Sequence, residues 1–178
     1  MAAIRRRIPN LLIVGGDGRN SGKTAMICRI LSELKDPSVV PVKINQTFHE
    51  LGRGLIPLLE ENGLKIFEET SLWSAKDTSR MLLAGASRVI YIQSADDRLA
   101  EAFALTEKLL PKGSPVLCES SMLIRYCDPG VYVFMKGSDK PSADNGEQEK
   151  YDHVSFTIQE LDSTPALPFR FTGGEWKK

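Results

Sequence analysis

Residues 10–24 constrain this chain more than any other stretch. The apolar run 10–14 passes into Gly15-Gly16-Asp17-Gly18-Arg19-Asn20-Ser21 and then into Gly22-Lys23-Thr24. A short run with no polar alternation is the pattern of a strand covered on both faces in a parallel sheet. Over residues 22–34, Met26, Ile27, Ile30, Leu31 and Leu34 recur at helical spacing while Arg29, Glu33 and Lys35 take the other side, so a helix follows, ended by Asp36-Pro37. Strand, glycine loop and helix in succession bring backbone N–H groups and a helix N-terminus onto one point, which suits an anion. This is the context of a Walker A loop, in which the lysine reaches the β- and γ-phosphates and the next hydroxyl binds Mg²⁺. Lys23 and Thr24 take those roles here, Gly16, Gly18, Asn20, Ser21, Gly22 and Ala25 complete the cradle, and the expected ligand is ATP or GTP. The alternative is a glycine-rich turn that happens to precede a lysine-bearing helix.

One position departs from the G-x-x-x-x-G-K-[ST] spacing: counting back from Gly22 places Asp17 where a glycine is usual. The expectation is a loop one residue longer anchored by Gly16, or an altered first turn. Asp17 then points outward, or faces Mg²⁺ or a second substrate.

The strand and helix patterns continue to alternate. Residues 39–44 read as a strand, 51–61 as a helix interrupted by Pro57 and closed by Asn62-Gly63, and 64–67 as a short strand. Asp77 is expected to cap a helix over 78–84 that Gly85 ends, with a strand over 88–93 behind it. Asp96 and Asp97 open a helix through Leu110, and 115–118 and 130–135 are further buried-type strands. Such alternation predicts an α/β, three-layer P-loop NTPase fold with a mostly parallel central sheet. A chain of 178 residues, 42% of them hydrophobic, is expected to form a single domain over 1–178. It carries an exposed loop near 137–150 and a tail, 151–178, whose segments 153–158 and 169–172 add edge strands or wrap the domain.

Lysine plus arginine and aspartate plus glutamate each total 23, so no global charge draws the chain to nucleic acid or an anionic membrane, and a phosphate site must be local. Cys28, Cys118 and Cys127 form no C-x-x-C pair, which fits free thiols and a cytoplasmic location. Behind Arg5, Arg6 and Arg7, the apolar run 11–14 is too short for a signal-peptide core or a membrane span.

Glu119 ends the run Val116-Leu117-Cys118, where an acid at a strand's carboxyl end reaches Mg²⁺ or its water; the alternative is a helix-capping acid beside Ser120 and Ser121. Lys43, Asn45, Thr47 and His49 should emerge on the same face as the phosphate loop, either to sense the γ-phosphate or as plain surface. Lys76, Asp77 and Arg80 form a charged cluster, read as a helix cap with a surface ion pair or as an anion subsite. Lys136 and Asp139, spaced Lys-x-x-Asp after a strand, are candidates for binding a guanine base. No close ligand pair points to zinc.

The segment from Leu11 to about Met135 resembles the small P-loop proteins of molybdopterin-guanine dinucleotide biosynthesis, the MobB family. The likeness lies in Asn20-Ser21-Gly22-Lys23-Thr24, in Val42-Lys43 through His49, in Lys76-Asp77-Thr78-Ser79-Arg80 with Ala84-Gly85-Ala86, and in the strand ending at Glu119. Departures stand beside it: Ile44 lies where a histidine is usual, Cys118-Glu119-Ser120-Ser121-Met122 replaces that family's Val-Glu-Gly-Phe-Lys, the loop before Gly22 is a residue longer, and the stretch between His49 and Lys76 is long. The resemblance implies GTP binding with slow hydrolysis, and action beside a molybdenum-cofactor nucleotidyltransferase, often as a homodimer. The same residues leave room for an ATP-dependent small-molecule kinase or ligase, and for a nucleotide-controlled metallochaperone or switch.

Overall fold

In the computed structural model, which describes residues 5–137 and 150–178, the chain runs β1 (Arg6–Gly16), α1 (Lys23–Leu34), β2 (Val40–Asn45), β3 (Leu55–Glu61), β4 (Leu64–Glu69), α2 (Asp77–Leu83) and β5 (Val89–Ser94). There follow α3 (Leu99–Leu109), β6 (Val116–Glu119), β7 (Cys127–Met135), β8 (Val154–Phe156), α4 (Ile158–Ser163), and the hairpin of β9 (Arg170–Thr172) and β10 (Glu175–Lys177). Eight strands form one sheet in the order β3-β4-β5-β2-β6-β1-β7-β8. From β5 to β8 every neighbouring pair is parallel, so the carboxyl ends of β1, β2, β5, β6 and β7 all meet one edge.

The apolar run of β1 splits between two layers, as side-chain alternation on a strand requires. Leu11 and Ile13 pack with Leu99, Ala102 and Phe103 of α3 on one face, and Leu12 and Val14 pack with Met26, Ile27, Ile30 and Leu31 of α1 on the other. This is the three-layer α/β arrangement that the alternating sequence implied.

One element is corrected. Residues 51–61, expected as a helix, contain instead the strand β3, paired antiparallel to β4 through the Asn62-Gly63 turn. Gly63 has φ 76°, a left-handed conformation that glycine adopts without strain at such a tight turn. Pro57 is tolerated because β3 is an edge strand and its register shifts between Pro57 and Leu59. The helix expected from Asp96 starts as a 3-10 turn over Asp96–Arg98 and becomes α-helical at Leu99.

The segment beyond 150 both adds a strand and wraps the sheet. β8 pairs with β7, and the β9–β10 hairpin buries Trp176 in the α1-side core. All three cysteines are free, and burial pushes the Cys127 thiol up to about 12 and the Cys118 thiol well above its ordinary value. Among the described residues no helix is long and apolar enough to cross a membrane.

Candidate functional site

The loop between β1 and α1 is shaped by contacts that begin in the sheet. Asp17 N–H donates to the Met135 carbonyl at 3.0 Å, so the ladder with β7 extends one residue beyond Gly16 before the chain turns. A Cβ on Gly16 would lie 2.4 Å from that same carbonyl oxygen, so no other residue lets the strand come this close. The loop then turns through left-handed residues at Gly18, Asn20 and Gly22 (φ 55°, 61° and 95°), and Lys23 opens α1.

Asp17 turns away from the centre of the loop: its Oδ2 accepts from Gly137 N–H at 3.2 Å, which ties the phosphate loop to the chain leaving β7. Asp17 does not line the cleft. Its position off the glycine spacing thus reflects a longer β1.

Gly18, Asn20, Ser21, Gly22, Lys23, Thr24 and Ala25 line a cleft of about 770 Å³ at the carboxyl edge of the sheet, whereas Gly16 lies beneath it as packing. The Lys23 ammonium curls over the loop, donating to Gly18 O at 2.5 Å and Ser21 Oγ at 3.1 Å. Burial lowers its pKa, assisted by the nearby Lys43 and opposed by Glu119, Asp17 and Asp77.

Across the cleft three charged side chains from separate elements converge. Parallel register places Glu119 beside Val14 on one flank and Lys43 on the other. Glu119, only 6% exposed, accepts from Thr24 Oγ1 at 2.7 Å with one oxygen and from Lys43 Nζ at 2.7 Å with the other. Lys43 also donates to Asp77 Oδ2 at 2.5 Å, and Arg80 reaches Asp77 Oδ1 at 3.4 Å. α2 is held in place for this by the buried Glu69, whose carboxylate accepts from Thr78 Oγ1 at 2.7 Å and Ser71 N–H at 2.8 Å. Ser120 and Ser121 complete the floor, with Ser121 Oγ donating to Gly16 O at 3.2 Å.

The structure therefore brings Lys23, Thr24, Lys43, Asp77, Arg80 and Glu119 to one cleft, together with Asn45, Thr47 and His49. Asp77 sits inside α2 and its cap is Lys76, so the helix-cap reading of Asp77 gives way to an ion pair with Lys43. No local pattern links Asp77 to Lys43, because 34 residues separate them. Lys136 does not line the cleft; its N–H is held by Phe156 O at 2.7 Å. Asp139 lies outside the described residues.

Thr24 and Glu119 suit Mg²⁺, which keeps most of its water and is held by one or two carboxylates with substrate phosphates. Among the described residues no cluster of three or more His, Cys, Asp or Glu side chains could hold a metal without such help.

The Lys43–Asp77 pair makes a pH prediction. Burial alone would raise the Asp77 pKa, but hydrogen bonding and attraction to Lys43 lower it overall. Burial would lower that of Lys43, and Glu119 and Asp77 more than offset this and raise it. The stability contributed by Asp77 is thus present above the unfolded carboxylate value and is lost as pH falls through its lower folded value; that of Lys43 is lost only as alkaline pH passes its raised value. In urea melts, the stability difference between the parent and Asp77→Asn should be level from about pH 5 to 9 and shrink below about pH 4. A difference that persists undiminished at about pH 2 would show that the Asp77 charge contributes nothing.

A scan against protein-family models finds no match, and no curated protein matches the chain. Among solved structures, LpxK from Aquifex aeolicus, in complex with ATP, is similar with a TM-score of 0.51 and 17% identity, over 96% of this chain and 54% of that one. This chain thus spans about half the length of that protein. The likeness agrees with the parallel sheet and the loop after β1: the fold is that of the α/β P-loop NTPases.

Proposed function

We propose that the chain binds a nucleoside triphosphate, ATP by preference, with Mg²⁺, and transfers its terminal phosphoryl group to a small acceptor. The observation that carries this reading is the convergence of Lys23, Thr24, Lys43, Asp77 and Glu119 on a single cleft beside a glycine loop. The ATP held by the structurally similar LpxK supports the choice of nucleotide.

In this reading loop N–H groups and the α1 N-terminus hold the phosphates, and Lys23 exchanges Gly18 O and Ser21 Oγ for phosphate oxygens. Thr24 and Glu119 would hold Mg²⁺, which supplies charge neutralisation on the β- and γ-phosphates. Lys43 and Arg80 add positive charge where the transferring group becomes more anionic. An acceptor oxygen forms a bond to the γ-phosphorus. The bond from that phosphorus to the bridging oxygen breaks, the nucleoside diphosphate leaves with the electron pair, and the acceptor's proton passes to Asp77 and on to water. Catalysis of this kind is positioning and electrostatics.

The second reading, a GTP-binding accessory factor of molybdenum-cofactor biosynthesis, is favoured by one observation. The segments resembling the MobB family, around Lys23, Lys43, Asp77 and Glu119, surround the same cleft.

Titration calorimetry with ATP and GTP, each with and without Mg²⁺, tests both. The first reading expects ATP binding strengthened by Mg²⁺ in the parent and losing that Mg²⁺ dependence in Glu119→Gln. A preference for GTP of about tenfold or more, equivalent to ~1.4 kcal/mol, moves the case to the second reading, and failure of both nucleotides to bind removes both.

A further inference from the structure

A second concavity, of about 320 Å³, opens beside the phosphate cleft, and the two share Lys43, Asn45, His49 and Asp77. Its remaining wall combines apolar and polar groups: Leu51 and Leu55 on one side, Lys76 and Tyr91 among the others. Polar groups set against an apolar wall are what fixes a ligand's orientation in a small-molecule site.

The polar part is fixed from beneath. The Tyr91 hydroxyl accepts from Asn45 Nδ2 at 2.9 Å and from Gln93 Nε2 at 3.4 Å. Gln93 is buried and also donates to the His49 carbonyl at 3.1 Å, so the loop bearing His49 is tied to the same platform. Phe67 stacks on the Tyr91 ring with centroids 6.3 Å apart. A hydroxyl that accepts twice keeps its own proton to give. Lys76 lies over Gly52, where a Cβ would fall 1.9 Å from Nζ, and its ammonium has no side-chain partner among the described residues. Lys43, by contrast, is paired with both Asp77 and Glu119. The pocket thus offers two uncommitted donors, Tyr91 O–H and the Lys76 ammonium, beside an apolar wall, and it adjoins the phosphate cleft at Lys43, Asn45, His49 and Asp77.

We infer that this pocket is the acceptor subsite: it takes a small metabolite whose anionic head, carboxylate or phosphate, is held by Lys76 and Tyr91 while its apolar body packs on Leu51 and Leu55. The reacting oxygen then lies at the border shared with the cleft, beside the Lys43–Asp77 ion pair. The inference rests on the nucleotide reading above and adds to it the class of the second substrate. Glu50, exposed on the rim, disfavours a head carrying more than one such group side by side.

The test uses the full chain and two probes that share a phenyl body, benzoate and phenyl phosphate, in NMR titrations of the backbone amides and leucine methyls, with MgATP titrated separately by calorimetry. The expected result is saturable shifts at Leu51, Leu55, Lys76 and Tyr91 with at least one probe, weakened about fivefold or more in Lys76→Ala and in Tyr91→Phe. Lys76→Gln serves if the alanine variant misfolds. The probe that binds more tightly identifies the head group. MgATP binding with neither probe moving those resonances, or probe affinity unaltered in the folded Lys76 and Tyr91 variants, overturns the subsite while leaving the nucleotide reading intact. Probe binding without MgATP binding overturns the nucleotide reading, and the acceptor role falls with it.

Discussion

Lys23→Met is expected to weaken MgATP binding by roughly 10²–10⁴-fold while leaving the unliganded protein at least as stable as the parent. The loss follows from two donors, now on Gly18 O and Ser21 Oγ, that the nucleotide reading reassigns to phosphate oxygens. Charge-assisted hydrogen bonds contribute about 1.5–3 kcal/mol each, and ~1.4 kcal/mol is a tenfold change in affinity. The stability half of the prediction follows from burial, which lowers the Lys23 pKa despite the carboxylates nearby. A cation whose folded pKa is depressed costs stability at neutral pH, and that cost is relieved only as pH rises past the folded value. Methionine keeps the stem and removes the charge. Calorimetry and urea melts on the two proteins check both halves; affinity within about tenfold of the parent would remove Lys23 from the phosphate site.

Trp176→Ala should cost about 3–5 kcal/mol, the range for truncating a buried tryptophan, and lower Tm on the order of 10 °C. Trp176 is 2% exposed, packs in the core with Leu12 and Val131, and stands edge-on to Phe171 with centroids 5.4 Å apart. Its Nε1–H donates to Asn10 O at 3.0 Å, so the last strand of the chain is pinned to the strand that carries the phosphate loop. Trp176→Phe keeps most of the apolar area and loses that bond, and should cost about 1–3 kcal/mol. Denaturant midpoints at unchanged slope measure both; a loss under about 1 kcal/mol for alanine would mean that the hairpin of β9 and β10 does not contribute to the core.

Those two variants also mark the limits of what could be read in advance. The segment of Lys23 was legible because its chemistry is local: an apolar strand, glycines, Gly22-Lys23-Thr24 and an amphipathic helix are contiguous, and short-range sterics settle them. Of the hairpin, 169–172 was readable as a strand or wrapping segment, but the burial of Trp176 was not, because a single tryptophan after Gly173-Gly174 carries no periodicity and only the packed flank of β1 and β7 gives it a surface to bury. β3 went astray for another reason. Leu58, Leu59, Glu60 and Glu61 are good helix formers, and the Asn62-Gly63 signal serves a helix end as readily as a hairpin turn. Pairing with β4 overrode the local preference, as sheet formation does when a partner strand is available.

Glu119 lay open to sequence reasoning as an acid at a strand end, and Lys43 as a base at another. Their meeting, and the addition of Asp77, depended on strand order: β6 lies between β1 and β2, and nothing in the order of residues along the chain specifies that neighbour relation. The sequence by itself determined the glycine loop between β1 and α1 and the alternating fold class, since these follow from contacts within a few residues and from side-chain periodicity. Only the tertiary structure decided that Thr24, Lys43, Asp77 and Glu119 form one charged cluster with a second pocket beside it, because those contacts close over 34 to 95 residues and exist only once the sheet has set its strand order.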